Sequence, residues 1–358
     1  MTLLFTGYPG FIGTALLPRV LARHADERVV CLVQPHHRDQ AEQHLAELPD
    51  HLAARVATVD GDITRPGLGL CGDDLPRDDL TEVWHLAAVY DLSVDRAVAR
   101  RVNVDGTRHV LDLASSAPAL RRLHHVSTCY VSGRYPGMFA EDDLVAAQPF
   151  NNHYEATKFL AEVAVRDRMR QGLPATVYRP AVVVGDCATG ATQKYDGPYY
   201  LVRWLLRQPR LAVVPVVADP RRIRFTMIPR DTLVDAMDHL SGLDASVGRT
   251  YALADPDPPT VAGMLDVLAA VTGQRIAKVP VPLRPTRNAI DRVGWLRRFV
   301  GFPGVALDYF AHPTTYDTTH ARRDLAGSGI RVPQFASYAA AIVDFTERNP
   351  DIPAQAMT

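Results

Sequence analysis

Thr6-Gly7-Tyr8-Pro9-Gly10-Phe11-Ile12-Gly13 sets three glycines at three-residue intervals between an apolar run, Leu3 to Thr6, and a helical stretch reaching about Arg23. Glycines in that position permit a tight turn, close approach of backbone to a pyrophosphate, and close packing of helix on strand. The helix N-terminus then receives the phosphates. A second strand, Val29 to Val33, completes a βαβ beginning, and residues 7 to 13 become the first candidates for dinucleotide contact: Gly7, Tyr8, Pro9, Gly10, Phe11, Ile12 and Gly13.

The pattern continues outward from that turn. Strands are expected at Val56 to Val59, Glu82 to Leu86, Leu123 to Thr128 and Ala175 to Tyr178, with helices around Val98 to Leu113 and around Tyr154. Short apolar strands separated by helices indicate an α/β fold with a doubly wound parallel sheet covered on both faces. Ligands lie at the carboxyl ends of such strands, which places Asp62 and Ile63 near the adenine and Leu86, Ala87 and Ala88 along the cofactor backbone. After the second strand an acid would hold the ribose hydroxyls of NAD, and a base the extra phosphate of NADP. The chain reads Gln34-Pro35-His36-His37-Arg38. Arg38 with His36 or His37 could pair with that phosphate, which favours NADP(H), with NAD(H) the alternative, and Gln34 is a further candidate cofactor contact.

Tyr154-Glu155-Ala156-Thr157-Lys158 sets a phenol and an ammonium four apart, on one face of a helix. The ammonium is expected to favour the phenolate and bring a pKa of about 10 closer to neutrality, making Tyr154 an acid or base. An upstream hydroxyl, Thr128 or Ser127, can hold the substrate oxygen. Asn103 is a further catalytic candidate, through a water or a backbone kink, against a local structural hydrogen bond. Val89, Tyr90, Thr128, Tyr195, Tyr199 and Phe225 are candidate substrate contacts, and the apolar stretch 280 to 310, with Trp295, Leu296 and Phe299, reads as a cap, a packed helix or a dimer contact.

With these motifs in view the chain resembles the extended short-chain dehydrogenase/reductases, whose fold is Rossmann-type. T-G-x-x-G-x-x-G is met by Thr6 to Gly13, H-x-A-A by His85 to Ala88, N-x-x-G-T by Asn103 to Thr107, and Y-x-x-x-K by Tyr154 and Lys158. The family's Ser/Thr five residues before a glycine falls on Thr128, ahead of Gly133. Arg179-Pro180 with Val183 and Gly185 matches R-P-x-x-V-x-G, which implies that Pro180 and Val183 meet the nicotinamide. Residues 61 to 70 and 125 to 131 are similar to the branch of fatty acyl-CoA reductases and thioester reductase domains, which reduces acyl thioesters with NADPH. Tyr8-Pro9 and Gln34 depart from that branch. The resemblance also implies a homodimer formed through the helices of Asn103 and Tyr154.

In 358 residues, 22% charged with a net charge of -1, nothing marks a nucleic-acid partner. No run approaches the roughly 18 apolar residues of a membrane span, and no leader precedes the first strand, so a cytoplasmic protein acting on a small molecule is expected. Cys31, Cys71, Cys129 and Cys187 show no metal spacing, and no metal is expected. Residues 1–186 are read as the nucleotide-binding part carrying the catalytic residues, and 187–358 mainly as a smaller substrate lobe, with about 222–253 returning to the main body. The leading reading is hydride transfer to or from a carbonyl or alcohol of an apolar small molecule. The alternatives are an acyl-thioester reductase, a non-redox epimerase or dehydratase, and a non-catalytic dinucleotide sensor.

Overall fold

The computed structural model describes residues 1–71 and 74–353, with the side chains of Leu296, Arg297 and Phe299 outside that description. Seven parallel strands form the central sheet, in the order Thr250–Leu253, Ala175–Pro180, Arg122–Val126, Leu80–His85, Thr2–Thr6, Arg28–Val33 and Val56–Asp60. The first strand lies between Arg28–Val33 and Leu80–His85, so the order reverses there. That switch point opens a crevice at the carboxyl ends, under the glycine turn.

Both sheet faces are buried, as the continuous apolar strands require. Leu16, Leu17 and Val20 of helix Phe11–Arg23 pack with Leu233 and Met237 of helix Arg230–Ser241 on one face. On the other, Val110, Leu111 and Ala114 of helix Gly106–Ser116 meet Val83 and Leu123. Helix Arg230–Ser241 and strand Thr250–Leu253 thus belong to the main body, whereas Met227–Pro229 pairs with Val182–Val184 in a separate two-stranded ladder. A second core lies in the C-terminal part, where helices Pro198–Leu206, Val261–Thr272 and Phe335–Arg348 pack through Val202, Leu265, Leu268 and Ile342. Two strands there, Leu211–Val216 and Arg275–Pro280, pair in parallel.

The stretch 280 to 310 folds as helices Leu283–Arg292 and Gly294–Val300 and a short 3-10 run, Gly304–Ala311. Ala306, Leu307 and Tyr309 are buried, and Trp295 is exposed. Among the described residues no helix is long and apolar enough to cross a membrane.

The glycine turn shows why side chains are excluded from it. Gly7 has φ +90°, and a Cβ there would stand 2.8 Å from the Ala87 nitrogen. One on Gly13 would stand 2.5 Å from the Gly7 carbonyl oxygen. Backbone strain of this kind costs about 1–3 kcal/mol, so Gly7→Ala is expected to weaken dinucleotide binding roughly tenfold or more, read by fluorescence titration.

Candidate active site

The helix that carries the tyrosine is fixed at its first turn. Asn152 Oδ1 accepts from the Glu155 N–H at 3.0 Å, and the Glu155 carboxylate accepts from the Asn151 N–H at 2.8 Å, a variant of the capping box. Tyr309 adds a hydroxyl donated to Glu155 at 2.8 Å. Tyr154 is therefore held rigidly, 8% exposed, with Tyr90 edge-on at 4.9 Å.

Thr128 follows the strand Arg122–Val126 by two residues and caps the short turn Cys129–Ser132. The Thr128 hydroxyl hydrogen-bonds Tyr154 and accepts from the Tyr130 N–H at 3.2 Å. Ser127 is committed elsewhere, donating to the buried Glu162 carboxylate at 2.6 Å. Of the two hydroxyls, Thr128 is the one paired with the phenol.

The expected influence of Lys158 on Tyr154 needs correcting. Lys158 Nζ donates to the Val126 carbonyl at 2.7 Å. Burial dominates at Tyr154 and pushes its phenol above the ordinary range, opposed by the Thr128 hydrogen bond. Burial also lowers Lys158, to about 8, with the Glu162 charge acting the other way. Tyr154 is thus a protonated phenol at neutral pH.

Glu162 continues the stripe of Tyr154 and Lys158 and was not singled out from sequence, although its spacing of four beyond Lys158 was available. It is fully buried and meets Arg179 at 2.7 Å and Arg166 at 3.0 Å. Arg179 also donates to the carbonyls of Glu141 and Asp143.

A relay of hydrogen bonds locks the cofactor side. Thr107 donates to the Asn103 carbonyl at 2.7 Å, so it accepts from His85 Nε2 at 3.0 Å. His85 Nδ1 then accepts from Thr6 at 2.9 Å, and Thr6 accepts from the Ala87 N–H at 3.3 Å. Burial lowers His85 to about 3, which keeps the ring neutral and this tautomer in place. Asn103 stands in a π-helical turn, Arg100–Asp105, and its side chain accepts from the Val89 N–H at 2.9 Å and donates to Thr157 at 3.1 Å. It does not line the cleft; its side chain ties the Val89 loop to the tyrosine helix.

A cleft of about 810 Å³ joins these groups. Its walls include the turn from Gly7 to Gly13, Gln34, His36, Asp62, Ile63, the run from Leu86 to Tyr90, Ser127, Thr128, Tyr154, Lys158, Pro180 and Val183. Three expectations fail. Arg38 is outside the cleft and ion-paired with Asp60; Arg65 and Arg101 line it instead. Tyr195 and Tyr199 are core residues, 0% and 1% exposed, their hydroxyls bound to the Asn349 carbonyl and the Gly185 N–H. Lys194 and Asp196, on either side of Tyr195, face the cleft and pair at 3.0 Å; an extended segment alternates its side chains. Phe225 lines a small cavity behind Tyr154. Cys129 is buried, donating to the Arg179 carbonyl at 3.0 Å, and burial pushes its thiol pKa up, which leaves it no nucleophile.

The glycine turn, with no room for a Cβ and a long cleft beyond, fits a dinucleotide. Residues 5–237 match an NAD-binding family described as male sterility protein. The chain belongs to that family. It falls in the extended short-chain dehydrogenase/reductase branch of nicotinamide-dependent oxidoreductases, as the motifs implied. The chain is similar to the nonribosomal peptide synthetase asaC of Aspergillus flavus, 25% identical over 90% of this chain and 34% of that protein. It is also similar to the aldehyde reductase lnbA of the same organism, 23% identical over 84% of this chain and 30% of that one. Family member and relatives differ in extent: the chain spans about a third of the length of these two proteins. Among solved structures, the terminal R domain of the myxalamid PKS-NRPS pathway superposes with a TM-score of 0.82 at 26% identity, covering 98% of this chain and 92% of that one.

Proposed function

We propose that this chain reduces the carbonyl of an apolar acyl group, presented as a thioester, with NADPH as reductant. The observation that carries the reading is the Thr128–Tyr154 pair, lining the same cleft as the glycine turn. A bound reduced nicotinamide would supply the hydride that forms the new C–H bond. Thr128 orients the substrate oxygen, and Tyr154 gives it a proton, acting as an acid because burial keeps the phenol protonated. The C–S bond then breaks as the proton on the new hydroxyl passes to the sulfur, which leaves as a thiol, and the C=O of an aldehyde re-forms. Lys158, close to neutrality at about 8 and lining the same cleft, supplies the proton that restores Tyr154 by way of an intervening hydroxyl or water, since its ammonium is held by the Val126 carbonyl. Similarity to the myxalamid R domain and to asaC supports a thioester substrate; similarity to lnbA supports a second reading, in which a free aldehyde is reduced by the same acid with no leaving group.

Arg65 and Arg101 support NADPH over NADH, taking the place that the sequence reading gave to Arg38. The division into a nucleotide-binding part, 1–186, and a mainly substrate-binding part, 187–358, belongs to the same reading.

The proton path gives this proposal its pH dependence. Lys158 carries its proton below about 8 and loses it above, so kcat for reduction is expected to be level towards neutrality and to fall as pH rises through that value. Lys158→Arg should move the falling limb to higher pH. A profile unchanged by that substitution would remove Lys158 from the proton path.

A further inference from the structure

The geometry points to an acyl-tail pocket behind Tyr154, partitioned by Ala306 and Phe310, that selects hydrocarbon chains of limited length; the inference rests on the reductase reading above. A cavity of about 20 Å³ lies behind the Tyr154 ring. Tyr90, Tyr130, Tyr154 and Val182 line both it and the main cleft. On its far side Phe225 and Phe310 stack at 5.1 Å. Ala306 and Phe310 in turn also line a second cavity, of about 60 Å³, walled by Trp204, Leu265 and Phe302 among others. Cleft, small cavity and inner cavity therefore follow one another through shared walls, and the side chains common to the two inner spaces form the partition between them.

The chemistry of the walls names the occupant. Among the described residues no charged side chain lines either inner cavity. Several polar groups nearby are already engaged: Tyr309 donates to Glu155 and accepts from Asn152, Tyr90 bonds Asp196, and the Trp204 indole donates to the Val213 carbonyl at 2.9 Å. A hydroxyl or charge on the chain end would lose its water and gain nothing, whereas each methylene buried is worth about fourfold in kcat/KM. The inner cavity, about 60 Å³, holds on the order of five methylene-sized groups. An unsubstituted acyl tail of medium length fits, and a long fatty chain does not.

The test uses the whole chain with NADPH and a series from acetyl- to palmitoyl-CoA, beside wild type, Ala306→Phe and Phe310→Ala. Wild-type kcat/KM is expected to rise about fourfold per methylene up to octanoyl and then stop rising. Ala306→Phe should abolish the rise beyond butyryl, and Phe310→Ala should carry it on to lauroyl. Fatty amides, which bear the tail without a thioester, give a second readout: their stabilisation of the wild-type melt should grow with chain length, and that growth should be lost in Ala306→Phe. If no thioester consumes NADPH while amides still bind by length, the reductase reading fails and the pocket stands. A length-independent response in both measurements, or variants that keep the wild-type profile, would overturn the pocket.

Discussion

Tyr154→Phe is expected to lower turnover by about 10²- to 10⁴-fold, the range that one positioned acid supplies, while leaving dinucleotide affinity near that of wild type. The separation follows from where the hydroxyl is. The phenol ring packs edge-on against Tyr90, a contact that phenylalanine keeps, and only the oxygen bonded to Thr128 is removed. The glycine turn and the His85 relay, which shape the dinucleotide end of the cleft, do not touch that oxygen. Steady-state rates with an acyl thioester, set beside fluorescence titration with NADPH, measure the two quantities independently. Turnover within a few-fold of wild type would remove Tyr154 from the chemistry.

The second large effect falls on stability. Glu162→Leu is expected to destabilise the fold by about 3–5 kcal/mol, because it leaves the Arg179 guanidinium buried without its carboxylate. Arg179 is 2% exposed and Glu162 0%, and the same carboxylate accepts from Ser127 and Arg166. Burial alone would raise the Glu162 pKa; the Arg179 charge and hydrogen bonds outweigh it and hold the group below its ordinary value. A carboxyl depressed in this way stabilises fully above its unfolded pKa, and the contribution is lost as pH falls through the folded one. The cost of Glu162→Leu should accordingly be complete at neutral pH and shrink in acid. Urea unfolding at both conditions measures it, and a loss below about 1 kcal/mol at neutral pH would mean that Arg179 finds another partner.

The sheet was legible because its strands announce themselves through continuous apolar runs ending in glycine or polar turns. The run from Leu3 to Gly13 does so, and Val29 to Val33 was read to within one residue of the strand Arg28–Val33. The strand Leu211–Val216 was not recognised: Pro215 interrupts it, and proline argues against a strand from sequence alone. Helix Phe335–Arg348 was missed although Phe335, Tyr338, Ala339 and Ile342 recur at helical spacing on its buried face. At the site, Tyr154 and Thr128 could be named from spacing, since helix and strand periodicity carry that information. The electrostatic consequence could not. Spacing places Lys158 on the face of Tyr154, but only the packed structure shows the Val126 carbonyl taking its ammonium and burial setting the phenol pKa. Arg38 was a similar case: a base after the second strand is the expected phosphate contact, and its pairing with Asp60 depends on the neighbouring strand.

The most direct measurement mixes the protein with NADPH and octanoyl-CoA and follows, in one cuvette, the loss of the reduced-nicotinamide absorbance and the release of free thiol. Equal molar amounts of thiol released and of NADPH consumed in the first turnover are the expected result. NADPH loss with a free aldehyde but none with the thioester, and no thiol released, would contradict it.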